Sequence, residues 1–426
     1  MGSRSNSLGA PQRLDRIAII GAGPIGLEAA LAAAQAGLAF DVYEAGRVGD
    51  SMQDWGHVTL FTPFSMNHSQ AGAQAILAER LNDPLPSGDA LMTGADYVER
   101  YLLPLSRTRF LHGRIHTGRR VIGVARKGLL KQEAVGDPHR GGSPFLLFLD
   151  TDSQGERLVE ADVVIDASGL YRQPNRLGPS GLLAIGERAA GAFVRYGLDD
   201  VTGKHREPYV GKRIALIGAG YSAATSVVAL RALVDEHPET HVVWLTRRDS
   251  HRPIREIEED RLPARHALAK QANAIARESH PRLRHLRGTW VERLEPTPGS
   301  TVVVHSVDVA GHRNRFEVDR VLAQVGYRPD RSLYEELQVH ECYATQAPMK
   351  LAAALLSQAA ADCLDRMPTP SDTLCNPEPN FFILGAKSYG RDSSFLIRTG
   401  LAQVKQVFTL LADKRSVMPA EATGTG

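Results

Sequence analysis

Apolar residues in this chain come in short uninterrupted runs, each broken by glycine and followed by a stretch of small and apolar residues. Residues 17–20 form one such run and residues 214–217 another. A four-residue run with no polar alternation fits a strand covered on both faces, as in a parallel sheet. Behind the first run, residues 27–36 are rich in alanine and leucine and are closed by Gly37, which predicts a helix. Ala39–Tyr43 then reads as a second strand. The later run repeats this order, with a helix over Tyr221–Glu236 stopped by Pro238 and a strand over 241–246. Further strands are expected within 162–169, 319–329 and 380–385, and a packing helix over 349–364 with Cys363 in its apolar set. A loop over 386–392 should lead into a helix opening at Ser393 and Ser394, good N-cap residues. Strands alternating with helices predict an α/β chain.

The glycine breaks carry the chemistry. Residues 16–23 read R-I-A-I-I-G-A-G, and residues 213–220 read R-I-A-L-I-G-A-G. In the first copy Gly21, Gly23 and Gly26 have G-x-G-x-x-G spacing, with Pro24 and Ile25 between the last two. The first glycine permits the turn, the second lets phosphate oxygens approach bare backbone, and the third lets helix and strand lie close. The helix then points free N–H groups and its positive dipole end at a pyrophosphate. Glu44 ends the second strand, near the spacing at which an acid grips ribose hydroxyls. Its charge repels a 2′-phosphate, so this site should take FAD or NAD and not NADP.

In the second copy Gly218 and Gly220 make the turn, Tyr221 and Ser222 open the helix, and Ala223 stands at the third glycine position. No acid follows the next strand; Thr246, Arg247 and Arg248 occupy that place. Guanidinium groups bind phosphate bidentately, which favours NADPH over NADH. Two cradles in one chain suggest two dinucleotides held face to face, with hydride passing from a nicotinamide to a flavin.

Bulk properties narrow the classes. With 426 residues there is room for two domains, or for one inserted into another. A net charge of +2 and 23% charged residues give no concentrated basic face, which argues against a nucleic-acid partner. Three cysteines (Cys342, Cys363 and Cys375) form no C-x-x-C pair, and the odd count argues against a disulfide framework, so a reducing cytoplasm is the expected location. The N-terminus has no apolar h-region and the first hydrophobic run is too short for a membrane span. The run His340-Glu341-Cys342-Tyr343 has metal-ligand types but no second cluster, so no metal is expected. Residues 251–265 mix charges at helical spacing, which reads as a solvated face; a lid over the nicotinamide is the alternative.

Taken in order, these motifs resemble the flavoproteins with two dinucleotide-binding domains, the group containing the glutathione-reductase-like and thioredoxin-reductase-like enzymes and the flavin-containing monooxygenases. The resemblance spans residues 14–412. D-x-x-x-D-A-S-G at 162–169 and D-x-x-x-x-x-V-G-Y at 319–327 match the A-T-G-like connections between the two domains, and the final strand, loop and helix match the segment closing over the flavin. The resemblance implies a Rossmann-like FAD-binding domain, residues 14–190 and 311–416, with a smaller Rossmann-like NAD(P)H-binding domain, residues 191–310, inserted. Residues 1–13 would be a disordered leader and 417–426 a flexible tail. It further implies FAD contacts from Ala45, Arg47, Trp55, Val121, Ser168, Gly169, Gly385, Asp392, Ser394 and Phe395, besides the first cradle and Glu44. The helix opening near Ser393 would stabilise the reduced flavin's charge.

The departures from that group steer the function. The redox cysteine pair of the disulfide-reductase branches is missing, which turns the reading toward the monooxygenases. Their F-x-G-x-x-x-H signature is not intact: the stretch 193–211 keeps phenylalanine, glycine and histidine but not the spacing. Gly385-Ala386-Lys387 stands where the reductases carry Gly-Asp, leaving Asp392 as the nearest acid. The expectation is an NADPH-consuming FAD monooxygenase. It would oxygenate a nitrogen, sulfur or carbonyl centre of a small molecule with molecular oxygen, through a flavin C4a-hydroperoxide that retained NADP⁺ helps to shield. The alternatives are an oxidoreductase feeding an external acceptor and a flavin-binding sensor. Asn67 is the candidate beside the reactive flavin edge, with Trp55 and Ser65 nearby; its other reading is a turn residue bonded to backbone. His57 and His68 read as structural or exposed.

Overall fold

The computed structural model describes residues 16–82, 84–151, 155–358 and 362–417, so the expected leader and all of the tail but Val417 lie outside the described residues. Two five-stranded parallel sheets dominate. The first runs Phe381–Ile383, Val163–Asp166, Arg16–Ile20, Ala39–Tyr43, Ile115–His116 across its width. The second runs Val194–Arg195, Arg320–Ala323, Arg213–Ile217, His241–Leu245, Leu283–Leu286. In each, the strand entering the glycine turn is central. Ile17, Ile19 and Ile214 are almost wholly buried, as uninterrupted apolar runs require.

The duplication goes beyond the strand–helix–strand core. Each parallel sheet is accompanied by a three-stranded antiparallel one: Arg119–Arg126, Phe145–Thr151 and Arg157–Ala161 for the first, Thr289–Pro296, Val302–Asp308 and Arg313–Val318 for the second. From each antiparallel sheet the chain re-enters the parallel one beside the glycine strand, and an aspartate marks the re-entry. Arg16 N donates to Asp162 Oδ2 at 3.0 Å, and Arg213 N donates to Asp319 Oδ2 at 2.8 Å. Both arginine side chains also pair with those acids.

This topology corrects the expected 191–310 boundary. Strands Arg313–Val318 and Arg320–Ala323 belong to the second unit, whose core also takes in Leu177 and Ala184. The chain crosses between units where two segments run side by side: Asn175 N donates to Gly326 O at 2.9 Å and Arg328 N to Gln173 O at 2.9 Å. Asp319 is therefore the second unit's own counterpart of Asp162 and not the return to the first.

The helices follow the patterns with three corrections. Pro24–Gln35 begins at the proline, and Tyr221–Glu236 keeps its expected bounds. The last helix is Ile397–Val417, opening three residues later than Ser394, because Asp392 Oδ1 already accepts from Ser394 N in a turn. The helix expected over 349–364 is Met349–Leu356, and Cys363 lies in a separate 3₁₀ turn. Residues 251–262 are not helical; the helix there is Pro263–Arg277. Its Arg265 is buried and not on a solvated face.

Candidate functional site

In the first cradle, Gly21 has φ +101°, and a Cβ there would lie 2.7 Å from Ala167 O. A Cβ on Gly26 would lie 1.9 Å from Gly21 O, so helix and turn touch directly. At Gly23, by contrast, a Cβ would meet nothing within 4 Å. Two glycines are thus dictated by packing and one faces open space, as a phosphate-accepting turn requires. Gly23 is the N-cap of Pro24–Gln35, with no side-chain cap and no acid in the first turn. The N–H groups at that end therefore lack the usual capping partner.

The second cradle repeats this. Gly218 has φ +140°, a Cβ there would lie 2.2 Å from Gln324 O, and Gly220 faces open space. Gly220 is likewise an uncapped N-cap. Ala223 is fully buried against the strand, so its methyl is accommodated.

The strand ends differ. Glu44 is buried; Oε2 accepts from Ala22 N and Oε1 from Gly46 N, both at 2.7 Å. Each oxygen keeps a lone pair for a ribose hydroxyl. The acid thus braces the turn as well, a role the sequence did not suggest. Thr246 is buried, with its hydroxyl 2.9 Å from His285 Nε2, while Arg247 and Arg248 are exposed and have no ion-pair partner among the described residues.

The two units meet through aromatic rings. Phe61, from the loop after Trp55, stands edge-on to Tyr221, the first residue of the second cradle's helix, at 5.5 Å. Trp55 lies 6.0 Å from Tyr171, which lies 5.0 Å from Tyr327 at the crossing. The mouth of the second cradle therefore abuts the 50–67 loop of the first unit. Trp55 Nε1 and Ser394 Oγ are buried and find no hydrogen-bond partner among the described residues. Arg47 pairs with Asp50 at 3.1 Å, and Phe395 packs on Tyr389 at 5.4 Å. Val121, beside a β-bulge, lies against the first antiparallel sheet's core, and Ser222 is exposed.

Asn67 is 2% exposed and its amide is tied to Thr62: Oδ1 accepts from Thr62 Oγ1 at 2.9 Å and one Nδ2 hydrogen is donated to Thr62 O at 3.0 Å. The bond to the Thr62 carbonyl is the contact expected of a turn residue, and it holds the Pro63 corner. His68 stacks on Phe64 at 4.2 Å and bonds its carbonyl at 2.8 Å.

Sequence reasoning missed a buried ion pair at the ends of the first sheet. Lys387 Nζ lies 2.6 Å from Asp166 Oδ2 and donates to Ser168 Oγ at 3.1 Å. Ser168 in turn donates to Asp166 Oδ1 at 2.6 Å. Gly385 N is held by Gln403 at 2.9 Å. The replacement of Gly-Asp by Gly-Ala-Lys was the visible signal, since a buried lysine needs a carboxylate. Glu28 was also missed, although it is the one charged residue in Pro24–Gln35. It accepts from Tyr101 OH, and burial raises its pKa against those bonds.

A cavity of about 870 Å³ opens between the units, with Asp54, His57 and Glu99 on one wall and Arg195, Asp199, Asp200 and His205 on the other. Gly197, also on its wall, is bonded through its carbonyl to Gln324 Nε2 at 2.8 Å, so the cavity borders the second cradle. Burial holds His57 below the ordinary imidazole range, against the pull of Asp200.

The architecture is a Rossmann-like unit inserted into a larger Rossmann-like one. Residues 18–130 match the family model described as pyridine nucleotide-disulphide oxidoreductase. No curated protein sequence matches the chain. Among solved structures it is similar to a bacillithiol disulfide reductase from Bacillus cereus, with a TM-score of 0.65 and 18% identity over 94% of this chain and 99% of that one. The ornithine N-hydroxylase of Kutzneria sp. 744 gives a TM-score of 0.62 and 16% identity over 95% and 100%. Thioredoxin reductase from T. acidophilum gives 0.55 and 15% over 93% and 98%. Among the described residues no helix is long and apolar enough to cross a membrane.

Proposed function

We propose that the chain is an FAD- and NADPH-dependent oxidoreductase that oxygenates a small molecule. The observation that carries this reading is the pair of open glycine cradles, with the second opening against the first unit's 50–67 loop through Phe61 and Tyr221. The residues fit both groups. Free N–H groups beyond Gly23 and Gly220 suit two pyrophosphates, Glu44 suits an unphosphorylated ribose, and Arg247 and Arg248 suit a 2′-phosphate. The unpartnered Trp55 Nε1 and Ser394 Oγ are donors awaiting an acceptor. Bound FAD would supply the two-electron chemistry, taking hydride from NADPH and delivering electrons to oxygen.

The protein's own contribution is positional. The two cradles would set the distance between the rings, and the part-buried Phe61, Tyr221 and Trp55 would line the seam where they meet. Asn67 shapes the corner after Thr62 and keeps one amide N–H beyond its bonds to that residue. The cavity beside His57 and His205 receives the substrate, and its mixed charges suit a small polar molecule. All three cysteines are free thiols, and Cys342, Cys363 and Cys375 make no C-x-x-C pair to relay electrons. That favours oxygen over a disulfide as acceptor, while similarity to the disulfide reductase supports electron delivery to an external acceptor as the second reading.

The test is to supply NADPH and ¹⁸O₂ with a panel of amines, thioethers and ketones. Product carrying one ¹⁸O per NADPH consumed supports oxygenation. NADPH oxidation with all oxygen recovered as peroxide supports the second reading, and a protein that NADPH does not reduce defeats both.

A further inference from the structure

We propose that Arg265 is a positioning residue, holding the nucleotide unit against the flavin unit through Asp362. The inference rests on the function proposed above for its link to electron transfer, but not for its geometry. Arg265 stands in the first turn of Pro263–Arg277, in the second unit, and is 4% exposed. Its five N–H donors are all used. Nε and Nη2 donate to the two oxygens of Asp260 at 2.9 and 2.7 Å; Nη1 and Nη2 donate to those of Asp362 at 2.8 Å each; and Nη1 also reaches Cys363 Sγ at 3.2 Å. A guanidinium presents only five donors in a fixed plane, so this geometry allows one orientation of the two carboxylates.

The carboxylates come from different units. Asp260 precedes the helix that bears Arg265, and its Oδ1 also accepts from Leu262 N at 2.9 Å. Asp362 belongs to the segment anchored on the end of the first unit. Two residues on, Leu364 O accepts from Arg398 of the last helix at 2.9 Å. Arg366 pairs with Asp392 at 2.8 Å, and Asp392 holds Ser394 N at 2.9 Å. A continuous polar chain therefore runs from the nucleotide unit's helix to the turn before Ile397–Val417. Burial alone would raise the Asp362 pKa, yet the bonds from Arg265 and Cys363 hold it down to about 2, so the strut stays charged at any working pH. It is a fixed brace and not a pH switch.

Displacement of about 1 Å between reacting groups can cost roughly 100-fold in rate. Removing Arg265 itself would leave two buried carboxylates facing each other and endanger folding. Asp362→Ala avoids this, because Arg265 keeps Asp260 within its own unit. The expected result with the flavin-loaded protein is unchanged flavin content, an NADPH dissociation constant within about 2-fold of wild type, and flavin reduction slowed about 10- to 100-fold, the range that misplacement sets. Amide exchange should accelerate in 263–266 and 362–366, and solution scattering should show a broader distribution of inter-unit distances. Asp260→Ala keeps the inter-unit bond and should slow reduction less than about 3-fold, since the reacting groups stay in place. An Asp362→Ala protein with wild-type reduction rate, exchange and scattering overturns the proposal. If NADPH reduces no flavin in the wild type, the proposed function fails, while exchange and scattering still decide whether Asp362 fixes the units.

Discussion

The two glycine cradles share a backbone plan but differ at every point where a side chain could select a ligand. Both have a first glycine at positive φ pressed against a neighbouring carbonyl, and a second facing open space. Both tie the arginine that starts the central strand to an aspartate that re-enters the sheet. In the first, Glu44 accepts from two backbone N–H groups and is buried. In the second, the turn is braced by Trp244 Nε1 donating to Gly218 O at 2.9 Å, and the strand end is left to Thr246 and two exposed arginines. The shared plan makes open glycine turns; under the function proposed above, the divergence would choose which nucleotide each one holds.

The sharpest way to break this comparison is at the third glycine position. In the first unit Gly26 admits no methyl, because a Cβ would sit 1.9 Å from Gly21 O; in the second, Ala223 is buried without conflict. Gly26→Ala must push the helix off the turn, an overpacking of about 1–3 kcal/mol or more. Thermal unfolding should show a clearly lowered Tm together with loss of flavin. A Gly26→Ala protein as stable and as yellow as wild type would mean that the two turns pack alike.

Next in size are the changes that separate binding from folding. Gly23→Ala adds a methyl that touches no protein atom, so the unfolding free energy should stay within about 1 kcal/mol of wild type, the helix-terminal scale of a glycine change, while flavin is lost. Glu44→Ala leaves the N–H groups of Ala22 and Gly46 unpaired and should cost about 1–3 kcal/mol in stability as well as flavin. The ratio of flavin to protein absorbance after purification reads both. Full flavin content in Gly23→Ala would place the pyrophosphate elsewhere.

Replacing Arg247 and Arg248 together probes the second cradle alone. Each charged hydrogen bond lost is worth about 1.5–3 kcal/mol, so NADPH binding should weaken by about 10- to 100-fold per arginine while NADH binding barely moves. An unaltered NADPH-to-NADH ratio in a fluorescence titration would show that neither side chain reaches a 2′-phosphate.

Sequence made the cradles legible because burial on both faces leaves an unmistakable apolar run, and because steric demands at Gly21 and Gly218 admit no other residue. It was less informative where structure depends on distant partners. Asp319 was read as a link back to the first unit, although its place mirrors Asp162; the equivalence shows only when Arg213 and Arg16 are seen to bond them alike. Arg265 looked like one charge among many, since its inter-unit partner lies 97 residues away. Ser393 and Ser394 have N-cap chemistry, but the acid before them captured Ser394 N and delayed the helix. Asn67 was singled out by its position on the loop, and its bonds to Thr62, five residues earlier, were not legible there.

The smallest effect comes from the reciprocal change, Ala223→Gly. If the two turns are equivalent apart from this methyl, removing it costs only helix propensity and a little packing, about 0.5–1 kcal/mol, with NADPH affinity unchanged. Ala223 is the third residue of Tyr221–Glu236 and is fully buried, so the loss should appear as a modest fall in Tm. Set beside Gly26→Ala, this pair tests asymmetry directly. The same methyl is buried in one copy and would collide with the turn in the other. A penalty for Ala223→Gly as large as that for Gly26→Ala would show instead that the alanine is required for packing, and that the second cradle has its own steric rule.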